Sequence, residues 1–299
     1  MDLARAVSTT ISYANYFKFP LFPEEIHHWL ICSRPVSQKE LQSFLPNSFS
    51  KSNQRFRART TSHTLEKIQH ARKLVGLLKQ FPGLRLIALT GSVAARNAKI
   101  DDDIDLFFIT APHTLWLVRP LVICILTIFF RRRHPLEDPA HAPNAFCPNF
   151  WLDTLSLTID DSKQSLYTAH EVLQIIPLLD RGDTYQSFLK ANAWTKKYLA
   201  NAYQSSLRPR PPSESVIARS RGLIYQTRTT RQSIIVILAK AGIHQINSTI
   251  FLLLAPFNLI FFLFQFIYMS PKKTTETVNL HAAHLHTTDY SAKLRHIIT

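Results

Sequence analysis

Residues 84–110 read LRLIALTGSVAARNAKIDDDIDLFFIT, and this stretch decides the architecture. Its first part, 84–90, is a short β-rich run that enters Gly91-Ser92, and its last part, 104–110, is a second such run. Two strands this close to helical patterns predict an α/β (α+β) domain. Side chains alternate along a strand, so Asp103 and Asp105 project from one face while Ile104, Leu106 and Phe108 point into the core. Gly91 has no Cβ, so a phosphate can approach its backbone closely. Residues 93–96 can open a helix whose first amides face that anion. Two neighbouring carboxylates repel each other unless a cation shares them, which argues for a divalent metal.

The spacing can be stated as a motif. An apolar residue, Gly, Ser, ten further residues, then Asp103-Ile104-Asp105 resembles the signature of nucleotidyltransferases of the DNA polymerase β superfamily, and the match runs over residues 89–106. That resemblance implies a mixed sheet, and two-metal transfer of a nucleoside monophosphate from a nucleoside triphosphate to a hydroxyl on a protein, a small molecule or an RNA. It implies that Gly91 and Ser92 contact the β- and γ-phosphates, and that Asp103 and Asp105 hold Mg2+, with Mn2+ as an alternative. The family also needs a third carboxylate on a later strand. Asp153, early in the next β-like run, is the residue expected there, as metal ligand and as an aid to deprotonating the acceptor. Arg96 and Lys99, between turn and carboxylates, are expected nucleotide contacts, whereas Asp101 and Asp102 read as turn residues. More loosely, Tyr16-Phe17-Lys18-Phe19-Pro20-Leu21 and residues 265–269 resemble segments of uncharacterised bacterial nucleotidyltransferase-domain proteins.

Composition limits the rest. With 46% hydrophobic and 18% charged residues the chain is globular, and a formal charge of +15 selects anionic partners: nucleotides, nucleic acid or anionic lipid. Cys32, Cys124 and Cys147 are widely spaced and form no CxxC pair, so a disulfide framework or zinc site is not expected and a reducing, cytoplasmic setting fits. A Gly-x-x-x-x-Gly-Lys loop is absent from the sequence, which sets aside P-loop chemistry.

Along the chain, residues 1–60 predict a helical unit compatible with a winged-helix module or with a helical cap on the catalytic domain. Residues 61–204 predict the nucleotidyltransferase domain. Within it lie a helix over 63–81 with Ile68, Ala71 and Leu78 inward and Lys and Arg opposite, an apolar helix at 115–130, a strand at 150–159, and helices at 164–180 and 184–203. A proline-rich linker at 205–215, a helical region at 216–270 and a polar tail at 271–299 follow. Residues 246–269 approach membrane-spanning length, yet Asn247, Pro256, Asn258 and Gln265 interrupt them, which favours a buried or surface-docked helix and leaves peripheral membrane contact open.

Other groups have plainer readings. Arg131-Arg132-Arg133-His134 reads as a solvated basic helix end, and His170-Glu171 as a hydrogen-bonded helix pair. His281, His284 and His286 have metal-like spacing on a tail that gives no reason to fold. Two rivals to the enzyme stand: a degenerate nucleotide-binding regulator with a DNA-binding N-terminal module, and a membrane-associated protein. Loss of the third carboxylate favours the first rival.

Overall fold

The computed structural model describes residues 2–46, 49–134, 137–138, 142–207, 248–269 and 277–285. The expected linker beyond residue 207, residues 216–247 and the tail at 271–276 and 286–299, with His286, lie outside the described residues.

The fold is mixed α/β around a six-stranded sheet of order β4-β1-β2-β3-β6-β5. β1 (Leu84–Leu89) and β2 (Ile104–Thr110) are its antiparallel centre, as their apolar runs predict. β3 (Phe146–Asp153) lies parallel to β2 and is reached through the helix α6 (Leu115–Phe129), the crossover that parallel pairing requires. β4 (Ile176–Asp180) closes one edge against β1, and a short hairpin, β5 (Thr277–Val278) with β6 (Ala282–His284), extends the other edge from β3.

Helices cover both faces. On one face α4 (Lys51–Leu78) and α6 pack Leu74, Leu78 and Val122 against Ile87, Phe108 and Trp151. On the other, α7 (Leu166–Gln174), α8 (Thr184–Ala191) and α9 (Ala200–Ser206) pack Val172, Phe188 and Ala202 against Ala88, Phe107 and Ile109.

The N-terminal helices α1 (Leu3–Tyr16), α2 (Pro23–His28) and α3 (Gln38–Leu41) enclose a small core of their own, with Val7, Ile26, Leu30 and Leu41 buried. Their starts follow the expected chemistry: Pro23 precedes Glu24 and Glu25 in the first turn of α2, and Ser37 and Glu40 form a capping box on α3. α4 begins at Lys51, so the boundary expected at residue 60 falls inside one continuous helix. Arg57 explains the continuity. It is buried, forms a two-pronged ion pair with Glu25 at 2.6 and 2.7 Å, and lies 3.9 Å from the centre of the Phe19 ring.

Three other expectations are corrected. The third strand begins at Phe146 rather than 150 and ends at Asp153. The second half of the helix expected at 164–180 is β4, and Pro177, which cannot donate to a ladder, is accommodated because β4 is an edge strand. Residues 277–285 of the expected tail are folded into the sheet, where the Trp116 indole donates to the Leu280 carbonyl at 3.0 Å. The apolar stretch 246–269 contains two helices, α10 (Ser248–Leu253) and α11 (Ala255–Met269). Among the described residues no helix is long and apolar enough to cross a membrane.

Candidate functional site

The site forms where β1 ends and β2 begins. The Thr90 amide donates to the Asp105 carbonyl at 3.1 Å, which lays the turn after β1 directly on the carboxylate strand. Gly91 then takes φ +60, a conformation that L side chains rarely adopt. A Cβ built there would lie 2.2 Å from Asp105 Oδ2, so the space a side chain would need already holds the carboxylate. The helix that follows, α5 (Gly91–Ala94), is a single turn, shorter than the sequence predicts, and its first amides have no carbonyl of their own helix to reach. Asn97 bonds back to the Ser92 carbonyl at 2.9 Å, and its side chain donates to the Phe17 carbonyl, tying the turn to the end of α1.

Asp103 and Asp105 do come together, and the third member of their group is Cys147, opposite Asp105 in the β2–β3 register; the three offer ligand atoms within 4.8 Å of one another. Next to Cys147 the pairing slips, and Asn149 uses that irregularity to donate its amide to Asp105 Oδ1 at 2.6 Å. Arg133 enters from the loop after α6. Its Nε sits 2.7 Å from Asp103 Oδ2 and its Nη2 donates to Cys147 Sγ at 2.9 Å. The basic run read as a solvated helix end therefore sends one guanidinium into the site. Burial raises the Asp105 carboxyl to about 6, against the opposing pull of Arg133, the Cys147 thiol and Asn149. Burial also pushes the Cys147 thiol up, so it stays protonated at neutral pH.

Asp153 is not part of this group. It pairs with Thr110 at the far end of β2, five residues from Asp105, or about 16 Å along the strand. There it is fully buried and committed elsewhere: Oδ2 bonds His281 Nδ1 at 2.7 Å and Oδ1 accepts the Leu155 amide at 2.9 Å. Its role is to fasten the β5–β6 hairpin to β3. The error has a simple origin. The strand starts four residues earlier than its apolar run suggests, so the segment facing Asp105 is Cys147-Pro148-Asn149.

Arg96 and Lys99 are exposed on the loop between turn and carboxylates, and Asp102 closes that loop by accepting the Lys99 amide at 2.9 Å. Glu171 lies closer to the turn than its sequence reading suggests, since it accepts the Thr90 hydroxyl at 3.0 Å. His170 is a core ring stacked on Tyr13, held neutral by burial, which lowers it to about 3.

Sequence reasoning missed Lys67 altogether. On an amphipathic helix it counts as solvent-facing, yet it is 2% exposed. Its three ammonium donors go to the Asp102 carbonyl at 2.7 Å, Asn144 Oδ1 at 3.0 Å and the Ile100 carbonyl at 3.2 Å. Lys67 thus clamps both backbone segments that flank Asp103. The only sequence cue is the neighbouring acidic run, whose tight turn presents carbonyls that need a donor.

Comparison of the chain with protein-family models, with curated proteins and with solved structures finds no match. Asp103 and Asp105 are hard oxygen donors of the kind that Mg2+ and Mn2+ take, whereas a buried, protonated thiol is a poor ligand for either ion. The pair fits a divalent cation, and the residues facing it on β3 add no further charge. Arg133 occupies the carboxylate edge that a cation would share, so Arg133→Gln is expected to raise Mn2+ affinity in the absence of nucleotide about tenfold. Titration with Mn2+ at neutral pH measures it; unchanged affinity would mean that the guanidinium does not compete.

Proposed function

We propose that the chain binds a nucleoside triphosphate together with a divalent cation at Gly91, Ser92, Asp103 and Asp105, and that it transfers nucleotidyl groups poorly if at all. The observation that carries this reading is the seating of the Gly91 backbone against the Asp105 carboxylate, closer than any side chain permits. A phosphate resting on that turn lies beside the two carboxylates, and a cation held by them neutralises both. The cation's chemistry would be charge neutralisation of the phosphates. The chain's own contribution is to hold the turn and the carboxylates in contact.

Asn149 supports the poor-transfer part. Where an acceptor hydroxyl must lose a proton, a carboxylate helps and an amide does not. Asp105 meets an amide and a thiol across the strand pair. Transfer by a metal-dependent nucleotidyltransferase mechanism is the second reading, and Glu171, anchored by Thr90 beside the turn, is the observation that favours it. A DNA-reading N-terminal module has less support. α3, where a recognition helix would lie, has four residues, and among described residues 2–46 there is no strand hairpin to serve as a wing.

The test is transfer from α-labelled nucleoside triphosphates to a cell extract, run beside equilibrium binding with Mg2+ or Mn2+ and with chelator. Cation-dependent binding that disappears in Asp103→Asn and Asp105→Asn, with little label transferred, is the expected result. Efficient transfer that is lost in Glu171→Gln would establish the enzyme instead. Equal binding by all the variants would overturn both readings.

A further inference from the structure

α11 is built the wrong way round for a helix facing water. Its sequence, APFNLIFFLFQFIYM, contains no charged residue. Its two amide side chains, seven residues apart on one face, both point into the protein. Asn258 is buried and accepts the Trp116 amide at 2.8 Å. Gln265 accepts from Arg119 Nη1 at 2.7 Å and donates to the Trp116 carbonyl at 2.9 Å. These are two of the residues that interrupt the apolar run in the sequence, and both bond to α6.

What α11 turns outward is apolar. Phe264 and Ile267 are 71% and 69% exposed, and Phe257, Ile260 and Phe261 are exposed as well. At about 100° per residue, the exposed positions from 257 to 268 sweep an arc of roughly 200°. A helix docked on a protein partner needs an apolar stripe of only about 100°. Water would leave this surface unsatisfied, while hydrocarbon covers a wide arc without needing shape complementarity.

The neighbouring helix follows the same pattern. α6 packs against α11 and exposes Leu121, Ile128 and Phe129. The hydroxyl of its exposed Thr127 donates to the Ile123 carbonyl of its own helix at 2.8 Å, so it needs no water. Two basic residues follow α6 directly: Arg131, whose guanidinium also pairs with Glu137, and Arg132. The chain as a whole carries +15. Neither helix is long and apolar enough to cross a bilayer.

We propose that α6 and α11 form a monotopic membrane-docking face, seated in the surface of an anionic bilayer. Apolar burial holds the face in the acyl boundary and the positive charge selects the anionic leaflet. This rests on the outward faces of the two helices and stands independently of the nucleotide reading.

The test is flotation of the full chain with vesicles of phosphatidylcholine alone and with added phosphatidylglycerol, washed at about 1 M sodium chloride. Binding to the anionic vesicles that survives the salt wash is expected. The double variant Phe264→Ser, Ile267→Ser should bind about a hundredfold more weakly, because two large apolar contacts are lost. Both side chains are exposed, so the melting temperature of the variant should stay at that of the parent. Failure of the parent chain to float, or complete release by salt, would overturn the proposal. So would concentration-dependent self-association without lipid that the same substitutions abolish, since the face would then belong to a second copy.

Discussion

Gly91→Ala is expected to remove cation-dependent nucleotide binding, with affinity falling at least about a hundredfold. Two effects act together. Alanine at φ +60 costs about 1 kcal/mol of backbone strain. The larger effect is steric, because the new methyl would sit 2.2 Å from Asp105 Oδ2 and one of the two must leave. Asp105 is held by Asn149, and the turn is tied to β2 by the Thr90 amide and to α1 by Asn97, so neither side yields freely. Either displacement separates the phosphate-facing backbone from the carboxylates. Titration with a fluorescent nucleotide in Mg2+ and in chelator reads the loss. Calorimetry should show a fold destabilised by only about 1–3 kcal/mol, since the defect is local. Retained affinity would mean that the close contact of turn and carboxylate has no functional meaning.

Lys67→Met is expected to cost about 2–4 kcal/mol of stability and to weaken cation binding as well. Methionine keeps most of the aliphatic stem and removes the ammonium. What remains are the carbonyls of Ile100 and Asp102 and the Asn144 amide oxygen, without the ammonium that joins them. Replacing a buried ion together with its partners can be harmless, but here two of the three acceptors are backbone carbonyls and cannot be replaced. The loosened segments flank Asp103, so the carboxylate should lose its fixed position. Urea unfolding measures the stability change and Mn2+ titration the change at the site. A variant as stable as the parent would show that water takes over the three acceptors.

The two expectations act on different parts of the same site, and only one could be anticipated from the residues. Gly91, Asp103 and Asp105 lie within fifteen residues and on two strands joined by a short loop. Local alternation is enough to place them together. Asn149, Cys147, Arg133 and Lys67 reach the site from three other elements, and their arrival depends on register and crossing geometry. The register of β3 is the instructive case. Phe150-Trp151-Leu152-Asp153 has the stronger β pattern, but the strand begins with Phe146-Cys147-Pro148-Asn149, where a proline and an asparagine conceal it. A four-residue error moved the assigned carboxylate to the opposite end of the sheet, where Asp153 pins the hairpin through His281.

A similar ambiguity hid β4, because Ile176-Pro177-Leu178-Leu179 continues the apolar pattern of α7 and its proline reads as a break rather than as an edge strand. The β5–β6 hairpin is short enough to carry almost no signal of its own, and it folds because β3 offers an open edge. In α11 the polar residues were visible from the start, but not their direction. Asn258 and Gln265 read as interruptions until Trp116 and Arg119 are seen to receive them.

The central claim is that Asp103 and Asp105 share a divalent cation that brings a nucleoside triphosphate onto the Gly91 turn. Electron paramagnetic resonance of free Mn2+, titrated into the full chain with and without a non-hydrolysable triphosphate, tests it most directly. One saturable Mn2+ site, tightened by the nucleotide and lost in Asp105→Asn, is expected. Mn2+ uptake that ignores the nucleotide and persists in Asp105→Asn would contradict it, and would reduce the carboxylate pair to a structural partner of Arg133.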